Sequence, residues 1–126
     1  MPYLVDSDIV VDLTRGSGAA ADYLDSLDDV WSISMITCLE LLAGSRTQRE
    51  TNDLDLVLSG YRAIPPNEDI TRRAYYLMKT YARGHGMQTF DSLIAATALE
   101  DGLTLVTKNR KHFQMIGDLN LEVPNY

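Results

Sequence analysis

Three carboxylates stand where the chain otherwise reads as core. Asp6 closes the apolar run Tyr3-Leu4-Val5, Glu40 lies among Leu39, Leu41, Leu42 and Ala43, and Asp91 directly precedes Ser92-Leu93-Ile94-Ala95-Ala96. An unpaired carboxylate in a buried segment is costly unless something compensates it. Local sequence supplies no such partner to Glu40, because its nearest basic residue, Arg46, follows the break at Gly44. Asp6 and Asp91 each have a simpler use as helix N-caps, worth about 1 kcal/mol apiece. If all three meet, mutual repulsion keeps protons on them unless a divalent cation intervenes. Oxygen ligands without a cysteine or histidine set suit Mg²⁺ or Mn²⁺ better than zinc. The chemistry such a cluster supports is phosphodiester cleavage: the cation neutralises the phosphate, acidifies a bound water and stabilises the leaving oxygen.

These side chains need a scaffold that brings positions 6, 40 and 91 together. Tyr3 to Val5 reads as a strand, followed by a helix carrying Ile9, Val10 and Leu13, with Ser7 or Asp8 placed to cap it. A helix from Ala19 to Leu27, a strand from Trp31 to Ser34 and an apolar helix from Met35 to Ala43 follow, the last stopped by Gly44 in a left-handed conformation. Glu40 is thus expected inside a largely buried helix. The spacing then predicts a helix over Arg46 to Leu58, a strand from Tyr61 to Ile64, and a long helix capped by Asn67 with Ile70, Ala74, Leu77, Met78 and Tyr81 on one face. Gly84-His85-Gly86 ends it, and a helix from Asp91 to Asp101 and strands at Leu103–Val106 and Leu121–Val123 complete the series. Strands separated by helices imply an α/β sandwich with a mostly parallel sheet covered on both faces. Ligands bind such sheets beyond the carboxyl ends of the strands, where strand order reverses. Asp6 and Thr107 both end strands.

Composition sets the outer limits. At 126 residues and 45% hydrophobic content, the chain is expected to form one domain over residues 1–126 with its own core. A single cysteine, Cys38, allows neither an internal disulfide nor a cysteine zinc cage, which suggests a reducing compartment. Apolar runs fall far short of the roughly 20 residues of a membrane helix, and the N-terminus lacks a basic signal segment; a cytoplasmic protein without a membrane partner is expected. The net charge of −7 argues against nucleic acid when taken whole. It is unevenly spread, however. Residues 1–60 hold 11 acids and 3 bases, whereas residues 61–126 hold 7 acids and 8 bases.

The stretches LVDSDIVVD, ISMITCLELLAG and FDSLIAATALEDGLTLVTKNRKHF, in that order, resemble the PIN domain, and in particular the VapC-type ribonuclease toxins of bacterial toxin–antitoxin pairs. The resemblance covers nearly the whole chain and implies a PIN-like three-layer sandwich. It places the family's metal-binding acids on Asp6, Glu40 (with Thr37, in a Thr-x-x-Glu motif) and Asp91. Its Thr-x-Asn-x-x-Asp-Phe segment falls on Thr107, Asn109 and Phe113, with His112 where a fourth acid is usual, and Asp8 stands where asparagine is frequent. The implied reaction is Mg²⁺-dependent (or Mn²⁺-dependent) hydrolysis of single-stranded or loop RNA, leaving a 5′-phosphate. Asp6 and Asp91 would hold the metal, Glu40 would assist, and Thr107 and Asn109 would shape the site. Arg72, Arg73, Lys108, Arg110, Lys111 and His112 are candidates for the RNA backbone. The family also implies a homodimer and a VapB-type antitoxin, whose basic segment reaches the acidic pocket and whose dock is expected on the two early helices.

Other readings use the same residues. Asp6-Ser7-Asp8-Ile9-Val10 fits the signature of a haloacid-dehalogenase-like phosphatase, with Asp6 as nucleophile, Asp8 as general acid and Lys108 as the required lysine. A receiver-type signalling domain would need a phosphoacceptor aspartate after the middle strand, where this chain has Ala63-Ile64-Pro65. A non-catalytic PIN fold that binds RNA or protein is the remaining alternative, kept open by His112.

Overall fold

Each strand of this protein is short because a polar residue or a proline follows its apolar segment closely. The computed structural model describes residues 2–126. Its elements are β1 (Tyr3–Val5), α1 (Ser7–Thr14), α2 (Gly18–Asp25), β2 (Trp31–Ser34), α3 (Met35–Ala43), α4 (Gln48–Leu58), β3 (Ala63–Ile64), α5 (Glu68–His85), α6 (Thr89–Asp101), β4 (Thr104–Val106) and β5 (Leu121–Glu122). A single 3₁₀ turn, Arg110–His112, lies between the last two strands. The sheet has the order β3-β2-β1-β4-β5, and every pairing is parallel. The chain therefore moves outward from β1 to β2 and β3, then returns to place β4 on the other side of β1. This is the reversal at which parallel sheets open a crevice.

Alternation along the strands divides the core in two. Leu4 and Leu105 face a cluster built largely from α5 and α6, with Ile70, Ala74, Leu77, Ile94 and Phe113. Val5, Val106 and Ile33 face the other cluster, with Ile9, Val10, Leu24 and Leu58. α3 contributes to both, through Ile36 and Cys38 respectively. The expected three-layer sandwich is thus present, and no helix among the described residues is long and apolar enough to cross a membrane. Truncating a fully buried side chain such as Leu105 to alanine is expected to cost about 2–5 kcal/mol.

Several expectations shift by a few residues, each for a local reason. Of the caps the sequence offered for α1, Asp6 serves and Ser7 and Asp8 do not, since Asp6 keeps the extended backbone of the preceding strand. α4 begins at Gln48, because the Thr47 hydroxyl accepts the Glu50 N–H and makes Thr47 the cap. β3 is reduced to Ala63–Ile64. Gly84 lies inside α5, which continues to His85 and closes at Gly86 with φ +66°. Gly44 ends α3 with φ −83°, so no left-handed turn is used there. α6 starts two residues earlier than expected, at Thr89, with Gln88 in the cap position and no side-chain cap bond. Asp91 is therefore not an N-cap, and its carboxylate is available for another purpose.

Candidate active site

The register of β1 and β4 assembles the centre of the site. Val5 is aligned with Val106, so the next residues, Asp6 and Thr107, emerge side by side at the carboxyl edge. The Asp6 N–H continues the ladder to the Val106 carbonyl at 2.9 Å. Asp6 is 5% exposed, and its Oδ1 accepts the Ser7 N–H at 2.8 Å while Oδ2 accepts the Thr107 hydroxyl at 2.8 Å. Thr107 is fully buried, and its Oγ1 also accepts the Asn109 N–H at 3.0 Å. One threonine hydroxyl thereby fixes both the aspartate and the start of the basic loop. Asn109 itself is exposed, its side chain turned to neither carboxylate by any hydrogen bond among the described residues.

Asp91, in the first turn of α6, reaches toward the same edge. Its Oδ2 lies 3.1 Å from His112 Nδ1, a contact that joins α6 to the 3₁₀ turn. Glu40 is half-buried on α3, not enclosed as expected from the apolar helix, because Met35 and Leu39 of the same helix are exposed. One turn before it, Thr37 is fully buried with an Oγ1 that has no hydrogen-bond partner.

The three carboxylates sense one another. Burial pushes the Asp6 carboxyl up; the Thr107 and Ser7 hydrogen bonds oppose this, and the Asp91 charge adds to it. Glu40 is raised by burial and then by Asp6 and Asp91. Asp91 is raised by burial and relieved by His112. Yet no three His, Cys, Asp or Glu side chains among the described residues form a ready metal cage. This donor geometry still fits a Mg²⁺-type ion, which is bound through one or two carboxylates, keeps several waters and rarely uses an all-protein cage. The orphan Thr37 hydroxyl, one helical turn from Glu40, is a further oxygen without a protein partner in the same part of α3.

Among the charged residues the sequence suggested for RNA, the structure distinguishes two groups. Arg72 pairs with Glu68 on its own helix, and Arg73 pairs with Glu100 at 3.1 Å. Glu100 is nine residues along α6 from Asp91, about 13 Å down the axis; these arginines stand apart from the carboxylates. Lys108, Arg110, Lys111 and His112 follow β4 directly, and of these His112 touches Asp91. Arg110 and Lys111 are exposed and make no ion pair among the described residues, whereas Lys108 is bound to Asp12. Asp8, which the sequence offered as a cap for α1, uses both carboxylate oxygens on backbone N–H groups. Its Oδ1 accepts the Ile9 N–H and its Oδ2 the Lys108 N–H, both at 2.8 Å. Asp12 and Tyr126, which the sequence did not single out, join this loop as well, the Tyr126 hydroxyl donating to Asp12 at 2.9 Å.

A parallel sheet with acids gathered at its reversal point, one of them in contact with His112 of a basic loop, defines an α/β domain with an acidic carboxyl edge. The match to known proteins gives this class its family. The chain belongs to the PIN-domain family, whose model matches residues 3–118. It is 40% identical over 119 residues to the ribonuclease VapC10 of Mycobacterium tuberculosis (strain H37Rv), covering 92% of this chain and 89% of that protein. It is 38% identical over 120 residues to ribonuclease VapC19 of the same organism, covering 92% and 95%. Among solved structures, VapBC2 from Rickettsia felis, bound to a DNA fragment from its promoter, superposes with a TM-score of 0.85 at 29% identity over 98% of each chain.

Proposed function

We propose that this protein is a divalent-metal-dependent endoribonuclease, the toxin of a VapBC-type toxin–antitoxin pair, acting in the cytoplasm, with residues 1–126 as one PIN domain. The observation that carries the reading is the gathering of Asp6, Asp91 and Glu40 at the β1–β4 reversal, each with its carboxyl raised by burial. VapC relatives at about 40% identity support the same activity.

Asp6 and Asp91 would hold the ion, with Glu40 assisting; Mg²⁺ is the ion expected, with Mn²⁺ as a substitute. When bound, the metal supplies charge neutralisation at the phosphate and a water acidic enough to attack. The chain's own residues organise the rest. Thr107 holds Asp6 Oδ2 in place and, through Oγ1, ties down Asn109. His112 orients Asp91. Arg110 and Lys111 offer free cationic groups for the phosphates on either side of the scissile bond. A cleft of about 640 Å³ between α1, α3 and α4, with Val11, Leu41, Leu54 and Val57 as apolar wall and Glu40 at its side, is the dock we assign to the antitoxin. Of the two early helices expected to carry the dock, α1 lines this cleft. A homodimer is the assembly we infer, and light scattering tests it.

The phosphatase alternative is disfavoured because both Asp8 oxygens already accept backbone N–H groups, leaving no free general acid. His112 beside Asp91 keeps the non-catalytic alternative distinct. One experiment separates them: the protein, free of partners, is incubated with transfer and ribosomal RNA in Mg²⁺ or Mn²⁺, beside Asp6→Asn and Asp91→Asn. Cleavage lost in both variants and in chelator supports the reading; cleavage that persists in both overturns the site.

A further inference from the structure

The segment after β4 is held from an unexpected direction. Lys108 Nζ forms an ion pair with Asp12 on α1, and the same Asp12 oxygen accepts the Tyr126 hydroxyl. The Lys108 ammonium lies 5.3 Å from the centroid of the Tyr126 ring, a distance at which a cation is attracted to the ring face. Tyr126 in turn packs against Tyr23 of α2 with ring centroids 5.9 Å apart, and the Tyr23 hydroxyl donates to Glu122 of β5 at 2.6 Å. Through its backbone, Lys108 donates to Asp8 while the preceding Thr107 donates to Asp6. Residues 107 and 108 are thus gripped by Asp6, Asp8 and Asp12 of one short segment, with Tyr126 closing over the lysine.

We propose that Asp12, Lys108 and Tyr126 form a clasp of positioning residues for the nuclease reaction, holding the Thr107–Asn109 segment so that the Thr107 hydroxyl stays on Asp6. The proposal rests on the reading of that site as a ribonuclease. It takes Lys108 away from the RNA. A partly exposed ion pair of this kind contributes little to overall stability, so its effect falls on geometry, where small displacements near a reacting centre cost large factors in rate.

The two roles of Lys108 predict opposite behaviour for its partner. In the clasp, Asp12→Asn and Lys108→Met each lower kcat about tenfold with KM unchanged, and the double variant loses no more than either single one. Lys108→Arg, which keeps the charge over the ring, recovers most of the rate, and Tyr126→Phe has the smallest effect because the ring remains. As a phosphate contact, Lys108→Met raises KM and reduces the salt dependence of RNA binding by about one unit of slope, while Asp12→Asn frees the lysine and lowers KM. Kinetics on a short RNA oligonucleotide cut by the wild-type protein distinguish these outcomes. Amide hydrogen exchange in the metal-free protein is the second readout. The Lys108 and Asn109 amides are expected to exchange about tenfold faster in Asp12→Asn and Lys108→Met, with thermal stability nearly unchanged. The phosphate-contact pattern, or exchange that does not change, overturns the clasp. If the wild-type protein cuts no RNA, the ribonuclease reading fails by itself, and the exchange measurement alone then decides whether the clasp holds.

Discussion

Helix α5 and the carboxyl edge of β1 and β4 are built by opposite rules. In α5 the caps, the terminal charges and the core face agree. Asn67 caps it by accepting the Ile70 N–H at 2.9 Å, Glu68 and Asp69 lie at the positive end, and Arg83 and His85 lie at the negative end. Ile70, Ala74 and Leu77 face the core, and Arg72 and Arg73 have carboxylate partners. At the sheet edge a nearly buried aspartate, two further raised carboxyls and an orphan threonine hydroxyl share one small region. Each is unfavourable alone, and the orphan hydroxyl costs about 1–3 kcal/mol. Local conflict of this kind collects where a protein does its chemistry, and the consistent remainder of the fold sustains it.

The sharpest way to break the contrast is Asp6→Asn. Cleavage is expected to fall by more than about 100-fold, the upper end of what losing even a ligand's hydrogen-bonding partner costs, while the metal-free variant melts at a higher temperature than wild type because a buried charge is gone. Calorimetry and an RNA cleavage assay on one preparation check both halves. A variant that loses activity and stability together would place Asp6 in the consistent class.

The next effect is a pH dependence. Asp6, Glu40, Asp91 and Asp8 have carboxyls raised in the folded state, each chiefly by burial. A carboxyl whose folded pKa exceeds its unfolded value binds its proton more tightly when folded. Its stabilising contribution is complete below the unfolded pKa and is lost as pH rises through the folded one. Asp12, lowered by the Lys108 and Tyr126 hydrogen bonds, opposes this trend on a more exposed site. Metal-free protein is therefore expected to lose stability as pH rises from the ordinary carboxylate range toward neutrality. Added Mg²⁺ should recover it, by about 2.7 kcal/mol at 100 times its dissociation constant. Thermal melts across pH with chelator and with Mg²⁺ test this, and identical curves would contradict metal binding at these acids.

Two smaller changes probe the consistent side. Asn67→Ala removes the α5 cap and is expected to cost about 1 kcal/mol in denaturant unfolding, with RNA cleavage unaffected. Arg72→Ala should change stability by no more than about 0.5 kcal/mol and leave the salt dependence of RNA binding as it was, since its pair with Glu68 is a surface i, i+4 contact. Arg110→Ala and Lys111→Ala should each reduce that salt slope by about one. Equal slopes for Arg72 and Arg110 variants would erase the distinction between the two basic groups.

Much of this is legible in the sequence. Helix periodicity placed α5 and its core face, and the acids at 6, 40 and 91 announced themselves by interrupting apolar segments. The parallel sheet followed from alternation of strands and helices. What local pattern could not carry is contact between distant parts of the chain. Asp12 meets residues 108 and 126, and Arg73 meets Glu100, through pairings that only the finished topology creates. Glu40 is less enclosed than its apolar neighbours in sequence suggest, because α3 leaves part of its apolar surface uncovered and Leu39 is 57% exposed. Asp91 looks like a cap only if the helix begins at residue 91, and α6 begins at Thr89.

The pairing of β1 with β4 joins residues 3–5 to residues 104–106. During synthesis, at roughly 5–20 residues per second, Asp6 emerges early and then waits several seconds for its threonine. A nascent chain that has not yet exposed Asp91 and β4 has neither the partner carboxylate nor the hydroxyl that fixes the first one. Such a chain therefore lacks the assembled carboxyl edge. The order of strands in the sheet thus delays assembly of this edge until residues 104–107 have been made.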